Sequence, residues 1–265
     1  MRKLILISTC LLAACTTKQL ATTNTTPEGT ISINGKLFTT LFQQRAAEYR
    51  ALCFQAYNIA RLRLDEYKPV SGKPKAIVTD IDETLFDNSP YEAHQTLQGK
   101  DYDVTSWHEW TDKASADTMP GAASFLKYAS SKGVTIFYIT NRDEKERVST
   151  IQNLKKFNLP NADDAHFLPK QSTSSKEARR QSVFGTHEIV MLLGDNLADF
   201  SALFDKKSVE ERLRNTNFSA ADFGNKFIVL PNPVYGDWES ALFNYNYKLT
   251  QAQKDSVIRS VLKAY

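Results

Sequence analysis

The stretch that decides the fold is KAIVTDIDETLFDN, residues 75–88. Its first half is apolar and β-branched, the composition of a short buried strand. The run then ends in Asp80 and Asp82, one residue apart, with Glu83 and Asp87 close behind. Residues i and i+2 of a strand point the same way, so the pattern predicts two carboxylates facing one spot. Like charges held so close are unfavourable unless a cation or a shared proton relieves them. The strand is therefore expected to end at a site built for one or the other.

Outward from this strand, helix and strand signals alternate. PGAASFLKYASSKG (120–133) opens on Pro-Gly and closes on Gly133, a helix with its start and stop marked. VTIFYIT (134–140), EIVMLL (188–193) and KFIVL (226–230) read as further strands, with a brief one at AHFL (165–168). Helices are expected over DEKERVSTIQNLKKF (143–157), SSKEARRQSVF (174–184) and about 251–264. The alternation predicts an α/β fold, a Rossmann-like three-layer domain with a mostly parallel central sheet. Between Asn88 and Met119 the alternation stops; the segment is too long for an ordinary connection and reads as a small cap insertion, about 88–119. Ahead of the first strand, Leu37, Leu41, Ala47, Leu52, Ala56, Ile59 and Leu62 recur at helical spacing, an N-terminal helix within 31–69 ended by Pro69 and Gly72. The α/β domain proper is taken as 70–265.

Ligands of parallel α/β sheets bind outside the carboxyl ends of the strands. A second acidic cluster, Asp195 and Asp199, follows a strand in EIVMLLGDNLADF (188–200). Neighbouring strands would set Asp195 beside Asp80, an oxygen-only ligand set that suits a hard divalent cation such as Mg²⁺. Thr140 ends another strand, with Asn141 and Arg142 next; its hydroxyl and the following amides are placed to donate to an anion. Lys176, opening a helix, adds a positive charge. These parts fit phosphoryl transfer, with one carboxylate as nucleophile and a second as acid and base. Asn88 and Tyr91, just beyond, are expected to line the pocket. Glu83 is read as holding backbone amides in the turn, Asp87 as a turn residue, Arg142 as equally suited to phosphate or a surface salt bridge, and the four histidines as structural.

The N-terminus, MRKLILISTCLLAAC, puts two positive charges before a short apolar run. This is the pattern of a signal peptide, residues 1–14, too short to span a membrane. Its end, LAAC, resembles the lipobox of bacterial lipoproteins, which implies a lipid on Cys15 and a Thr-rich tether over 15–30. The expected place is the outer membrane or cell surface. The net charge of +3 includes Arg2 and Lys3, and what remains argues against a nucleic-acid partner. Cys53 is then the one cysteine left beyond the signal and lipobox, so the domain is expected to have no internal disulfide and Cys53 to be a core residue.

DIDET, the strand closing in Thr140, Lys176 and GDNLADF together resemble the four motifs of the haloacid dehalogenase superfamily of phosphatases. VTDIDETLFDNSPY and VMLLGDNLADF are similar to the paired signatures of bacterial class C acid phosphatases, the lipoprotein e (P4) family. The first signature departs mildly at Thr79, Leu85 and Phe86, positions that bear on packing. The resemblance runs from about Tyr49 to Trp238. It implies Asp80 as nucleophile and metal ligand, Asp82 as general acid and base ligating Mg²⁺ through its backbone carbonyl, and Asp195 as the third ligand. Thr140, Lys176 and Asn141 would bind phosphate, and Asp199 would support Lys176 or a metal-bound water. Trp107 and Tyr235 would sandwich the base of a nucleoside monophosphate, a 5′-nucleotidase-like activity working best in acid. Family members are often dimers, and residues 36–67 offer a surface for a second copy. A non-enzymatic lipoprotein binding haem or a host ligand is the alternative, and a dehalogenase is disfavoured by Asp82 and Glu83.

Overall fold

The computed structural model describes residues 30–265. The expected signal peptide, the Cys15 lipid site and most of the tether lie outside the described residues. Two helices come first, α1 (Ile31–Arg45) and α2 (Ala47–Glu66). The sequence predicted one helical segment, but Ala46 is extended (φ −77°, ψ 125°) and splits it. No proline or glycine signals the break. Its cause is tertiary, because the two helices serve different partners. The first packs on the cap and the C-terminal helix, the second on the sheet side.

The buried faces also differ from the expected one. Leu41, Leu52 and Leu62 are about half exposed, while the second helix buries Tyr49, Cys53, Ala56, Tyr57, Ala60 and Leu64. Cys53 is fully buried with a free thiol, as expected of a core residue. The first helix turns a polar face inward, Ser32, Lys36, Thr40 and Gln43, and leaves Phe38 and Phe42 exposed.

Strand β1 (Lys75–Thr79) is central. The chain then makes a tight turn, in which the amides of Leu85 and Phe86 both donate to the Ile81 carbonyl. Glu83 sits at φ +55° in that turn, an αL conformation uncommon for a side chain of its kind. The Tyr57 hydroxyl braces the turn from below, donating to the Thr84 carbonyl at 2.5 Å. Strand β2 (Phe86–Asp87) leads into the cap, helices α3 (Ser89–Leu97) and α4 (Val104–Thr111), and β3 (Asp117–Thr118) returns antiparallel to β2. The insertion is thus clasped at its base by a two-stranded ribbon. Next come α5 (Ala122–Ser131), closed by Gly133 at φ +73°, β4 (Thr135–Ile139), α6 (Arg147–Lys156), β5 (Phe167–Leu168) and α7 (Glu177–Thr186). The chain ends with β6 (Glu188–Gly194), α8 (Val209–Phe218), β7 (Phe227–Val229), α9 (Asp237–Leu242) and α10 (Gln251–Val261).

The main sheet is parallel, in the order β5-β4-β1-β6-β7. Its two faces feed two cores. Ile77, Ile136, Met191 and Leu193 pack with α2 and α5, while Ala76, Val78, Phe137 and Leu192 pack with Val183 of α7 and Phe200. Burial on both faces explains why these strands read as continuous apolar runs. Because the strands are in register (Thr79 beside both Tyr138 and Leu193), Asp80, Thr140 and Asp195 emerge from one edge of the sheet. This is the α/β fold with a cap that the sequence predicted, with two N-terminal helices where one was expected.

Candidate active site

The Asp80 amide continues the sheet ladder, donating to the Leu193 carbonyl at 2.9 Å. Its carboxylate is buried and ion-paired to Lys176, the residue at the start of α7. The same ammonium pairs with Asp199 at 2.7 Å. Asp199 lies in a short 3-10 turn and accepts the Asn196 amide at 2.9 Å. The residue ahead of this turn has to be glycine. A Cβ on Gly194 would overlap the Asp199 side chain, with the Asp199 Cγ at 2.8 Å. The close approach at Gly194 is to a side chain. Asp195 accepts from Thr84 Oγ1 (3.2 Å) and Asn232 Nδ2 (2.8 Å).

Burial pushes the Asp80 carboxyl up, against the pull of Lys176, and the charges of Asp199 and Asp82 push the same way. Asp195 is pushed up by burial, then by Asp199 and Asp80. Lys176 stays above its ordinary value because Asp199 and Asp80 outweigh its own burial. One ammonium thus faces three carboxylates, Asp80, Asp195 and Asp199, each of which offers an oxygen within 4.8 Å of the others'. A cluster of hard oxygen donors with excess negative charge fits a divalent cation. The set differs from the expected one in that the Asp199 carboxylate joins it.

Asp82 departs from the two-carboxylates-on-one-spot expectation. The strand ends at Thr79 and the turn redirects the chain, so the i, i+2 rule no longer applies. The Asp82 carboxylate instead meets Arg142, with Nη2 at 2.7 Å and Nε at 3.0 Å, and accepts from Asn88 Nδ2 at 2.9 Å. Arg142 is only 3% exposed, with Phe86 and Trp107 rings beside its guanidinium, so it is no surface residue. Glu83 is buried, accepts the Asn88 amide at 2.9 Å as the turn reading expected, and also takes the Tyr235 hydroxyl. Burial, and then Asp82 and Asp195, hold the Glu83 carboxyl well above its ordinary value.

A cavity of about 610 Å³ opens on this cluster; Asp80, Asp82, Asn141, Lys176, Trp107 and Tyr235 are in its wall. Asn88 and Tyr91 are not. Asn88 is fully buried, gripping Asp82 and accepting from Trp110 Nε1 at 2.8 Å, and Tyr91 packs edge-on against Trp107. Both were expected at the pocket wall; both lie one layer behind it. Thr140 is also buried and off the wall. Its hydroxyl oxygen accepts the Arg142 amide (3.1 Å), and its carbonyl and Asn141 Oδ1 both bind Arg179. Trp107 donates to Glu146 at 2.9 Å. Asp87 accepts the Ser89 amide, as a turn residue would. His108 meets Asp143 at 3.1 Å, joining α4 to the loop after β4. Sequence reasoning missed Thr84, Asn232 and Arg179 and undervalued Arg142. Of these only Asn232, an Asn-Pro turn residue whose Oδ1 accepts the Val234 amide, carried a local signal.

Carboxylates at the ends of adjacent parallel strands, a lysine on the first of them and a cap over the cavity define a haloacid dehalogenase-type domain. Residues 4–238 match the family model described as HAD superfamily, subfamily IIIB (acid phosphatase), and the chain belongs to this family. Among solved structures it is similar to the class C acid phosphatase from Bacillus anthracis, at 44% identity and a TM-score of 0.85, over 88% of this chain and 99% of that one. The tungstate-bound form of that enzyme matches at 42% identity and a TM-score of 0.84, over 89% of this chain and 99% of that one. Acid phosphatase 1 of Solanum lycopersicum is 25% identical over 60% of this chain, and a stem 31 kDa glycoprotein of Glycine max 26% over 58%. The matched region spans 57% of the length of each of these two plant relatives.

A carboxyl whose pKa rises on folding favours the folded state only while it keeps its proton. The contribution of Asp80, Asp195 and Glu83 is therefore full below the ordinary carboxyl range, about pH 4, and is lost as pH rises toward their folded values. Asp101 and Glu188, shifted down, contribute in full above that range and lose their contribution only as pH falls below it, so they do not alter the trend between pH 5 and pH 8. In EDTA the thermal midpoint should fall between about pH 5 and pH 8, and a divalent cation should restore more at the higher pH. A midpoint that rises over this range, or a cation effect no larger at pH 8, contradicts the excess-charge reading.

Proposed function

We propose that this chain is a Mg²⁺-dependent acid phosphatase that releases phosphate from nucleoside monophosphates through an aspartyl phosphate on Asp80. The observation that carries the reading is the set of buried Asp80 and Asp199 and half-buried Asp195 around Lys176, opening on a cavity with Trp107 and Tyr235 in its wall. Asp80, Asp195 and the Asp82 carbonyl, with Asp199 adjoining, would hold a Mg²⁺ ion, which would supply charge neutralisation to the transferring group.

The Asp80 oxygen attacks phosphorus, and the bond to the leaving oxygen breaks. Asp82, turned away from Arg142 and protonated, hands that oxygen its proton. Asp82 then takes a proton from water as the water attacks phosphorus, which frees Asp80 and phosphate. Lys176 and Asn141 balance charge on the phosphoryl oxygens, with Thr140 behind them holding the Arg142 amide. Trp107 and Tyr235 hold the base by stacking, which tolerates any base because each offers a π-face. The reaction runs outside the inner membrane, with the domain held by a lipid on Cys15, and the exposed Phe38, Leu41 and Phe42 offer a face for a second copy.

Phosphate release from AMP and p-nitrophenyl phosphate near pH 5 to 6 should require added Mg²⁺ and stop in EDTA. Asp80→Asn should lower it by about 10³-fold or more. Release from the aryl ester alone removes the nucleotide assignment, and undiminished release in EDTA removes the cation. In cells making the full chain, activity should partition with membranes and shift to the soluble fraction in Cys15→Ser; equal partition of the two contradicts the anchor.

A further inference from the structure

Arg179, in the first turn of α7, is buried. Its neighbours Lys176 and Arg180 each meet a carboxylate, as does Arg142 across the site. Arg179 makes no ion pair among the described residues. Its guanidinium donates only to neutral oxygens. Nη1 reaches the Thr140 carbonyl at 2.5 Å and the Leu168 carbonyl at 3.2 Å, and Nη2 reaches Asn141 Oδ1 at 3.0 Å and the Ser175 carbonyl at 3.2 Å.

The backbone oxygens in this set have other holds. The Thr140 amide donates to the Leu168 carbonyl at 3.2 Å, so the ends of β4 and β5 are joined without the guanidinium. Lys176, which follows Ser175, is anchored by Asp80 and Asp199. The Asn141 side chain has no second hold. It is exposed, in the same cavity wall as Asp80 and Lys176, and its Nδ2 makes no hydrogen bond among the described residues. A guanidinium donates and never accepts, so the amide must present its oxygen to Arg179. Its NH₂ group is then the part left to donate to a ligand.

We infer that Arg179 is a positioning residue for the phosphoryl group: by binding Asn141 Oδ1 it fixes that amide in the orientation that donates to an anion beside Lys176. Released from Arg179, the amide is free to turn over and set its oxygen against the oxygens of the anion. A cation bound to the amide oxygen also polarises the amide and strengthens its N–H donors. The inference rests on the assignment of Asn141 to phosphate made above.

The test is the Ki of inorganic phosphate, competing with p-nitrophenyl phosphate in the presence of Mg²⁺, for the wild type, Asn141→Ala, Arg179→Met and the double variant. Asn141→Ala should raise Ki by about tenfold, the worth of one hydrogen bond to a charged group. Arg179→Met should raise it by a similar factor. The double variant should bind phosphate no more weakly than either single one, because both changes remove the same donor. A role for Arg179 in holding the fold alone does not produce this equality. Losses that multiply, or a loss in Arg179→Met far beyond that in Asn141→Ala, overturn the inference, as does an unchanged Ki in Arg179→Met where Asn141→Ala is weakened. If Asn141→Ala leaves Ki unchanged, the assignment of Asn141 to phosphate fails and the inference falls with it. Should Arg179→Met lose its cooperative thermal transition, Arg179→Lys takes its place. It keeps the charge but not the fork, so its smaller rise in Ki should again disappear in the Asn141→Ala background; a rise that persists there overturns the inference.

Discussion

The structure depends on the placement of one buried ammonium, Lys176, between Asp80 and Asp199. Three carboxylates in a buried place would repel one another, and one cation offsets only part of that repulsion. The parallel register of β1 and β6 fixes the spacing of Asp80 and Asp195. The absent side chain at Gly194 makes room for Asp199. The start of α7 delivers the lysine. The arrangement is stable enough to exist, and its charge is still unbalanced in the direction that a divalent cation and a phosphoryl group together would satisfy.

A second buried pair, Arg142 with Asp82, ties the cap to this centre. Arg142 reaches Asp82 from the loop after β4, touches the Trp107 ring of the cap, and donates to Thr150 of α6. Asn88, at the entrance to the cap, grips Asp82 from the other side. A carboxylate held by two such partners is positioned by the cap as much as by the sheet. In the proposed reaction its departure from Arg142 is the movement that chemistry requires.

How far the sequence could be read follows from where each signal lies. Strands buried on both faces announce themselves as apolar runs, and the acidic residues after them mark the edge where a ligand binds, so the sheet and Asp80, Asp195, Lys176 and Asp199 were legible. The direction of Asp82 was not, because the strand rule stops where the turn begins. Asn88 and Tyr91 were misplaced for a similar reason: proximity in sequence to the nucleophile says nothing of which layer a side chain joins. The break at Ala46 and the inward polar face of α1 come from tertiary partners, which leave no local mark. Thr84 is an ordinary turn residue until Asp195 is brought beside it.

The central claim is that Asp80 becomes phosphorylated. Acid quenching during turnover of a labelled phosphomonoester, followed by digestion and mass mapping, tests it most directly. The account predicts a hydroxylamine-labile phosphoryl group on the peptide that carries Asp80, absent in Asp80→Asn. Label on a different residue, or steady turnover with no covalent phosphoryl species at any quench time, would contradict it.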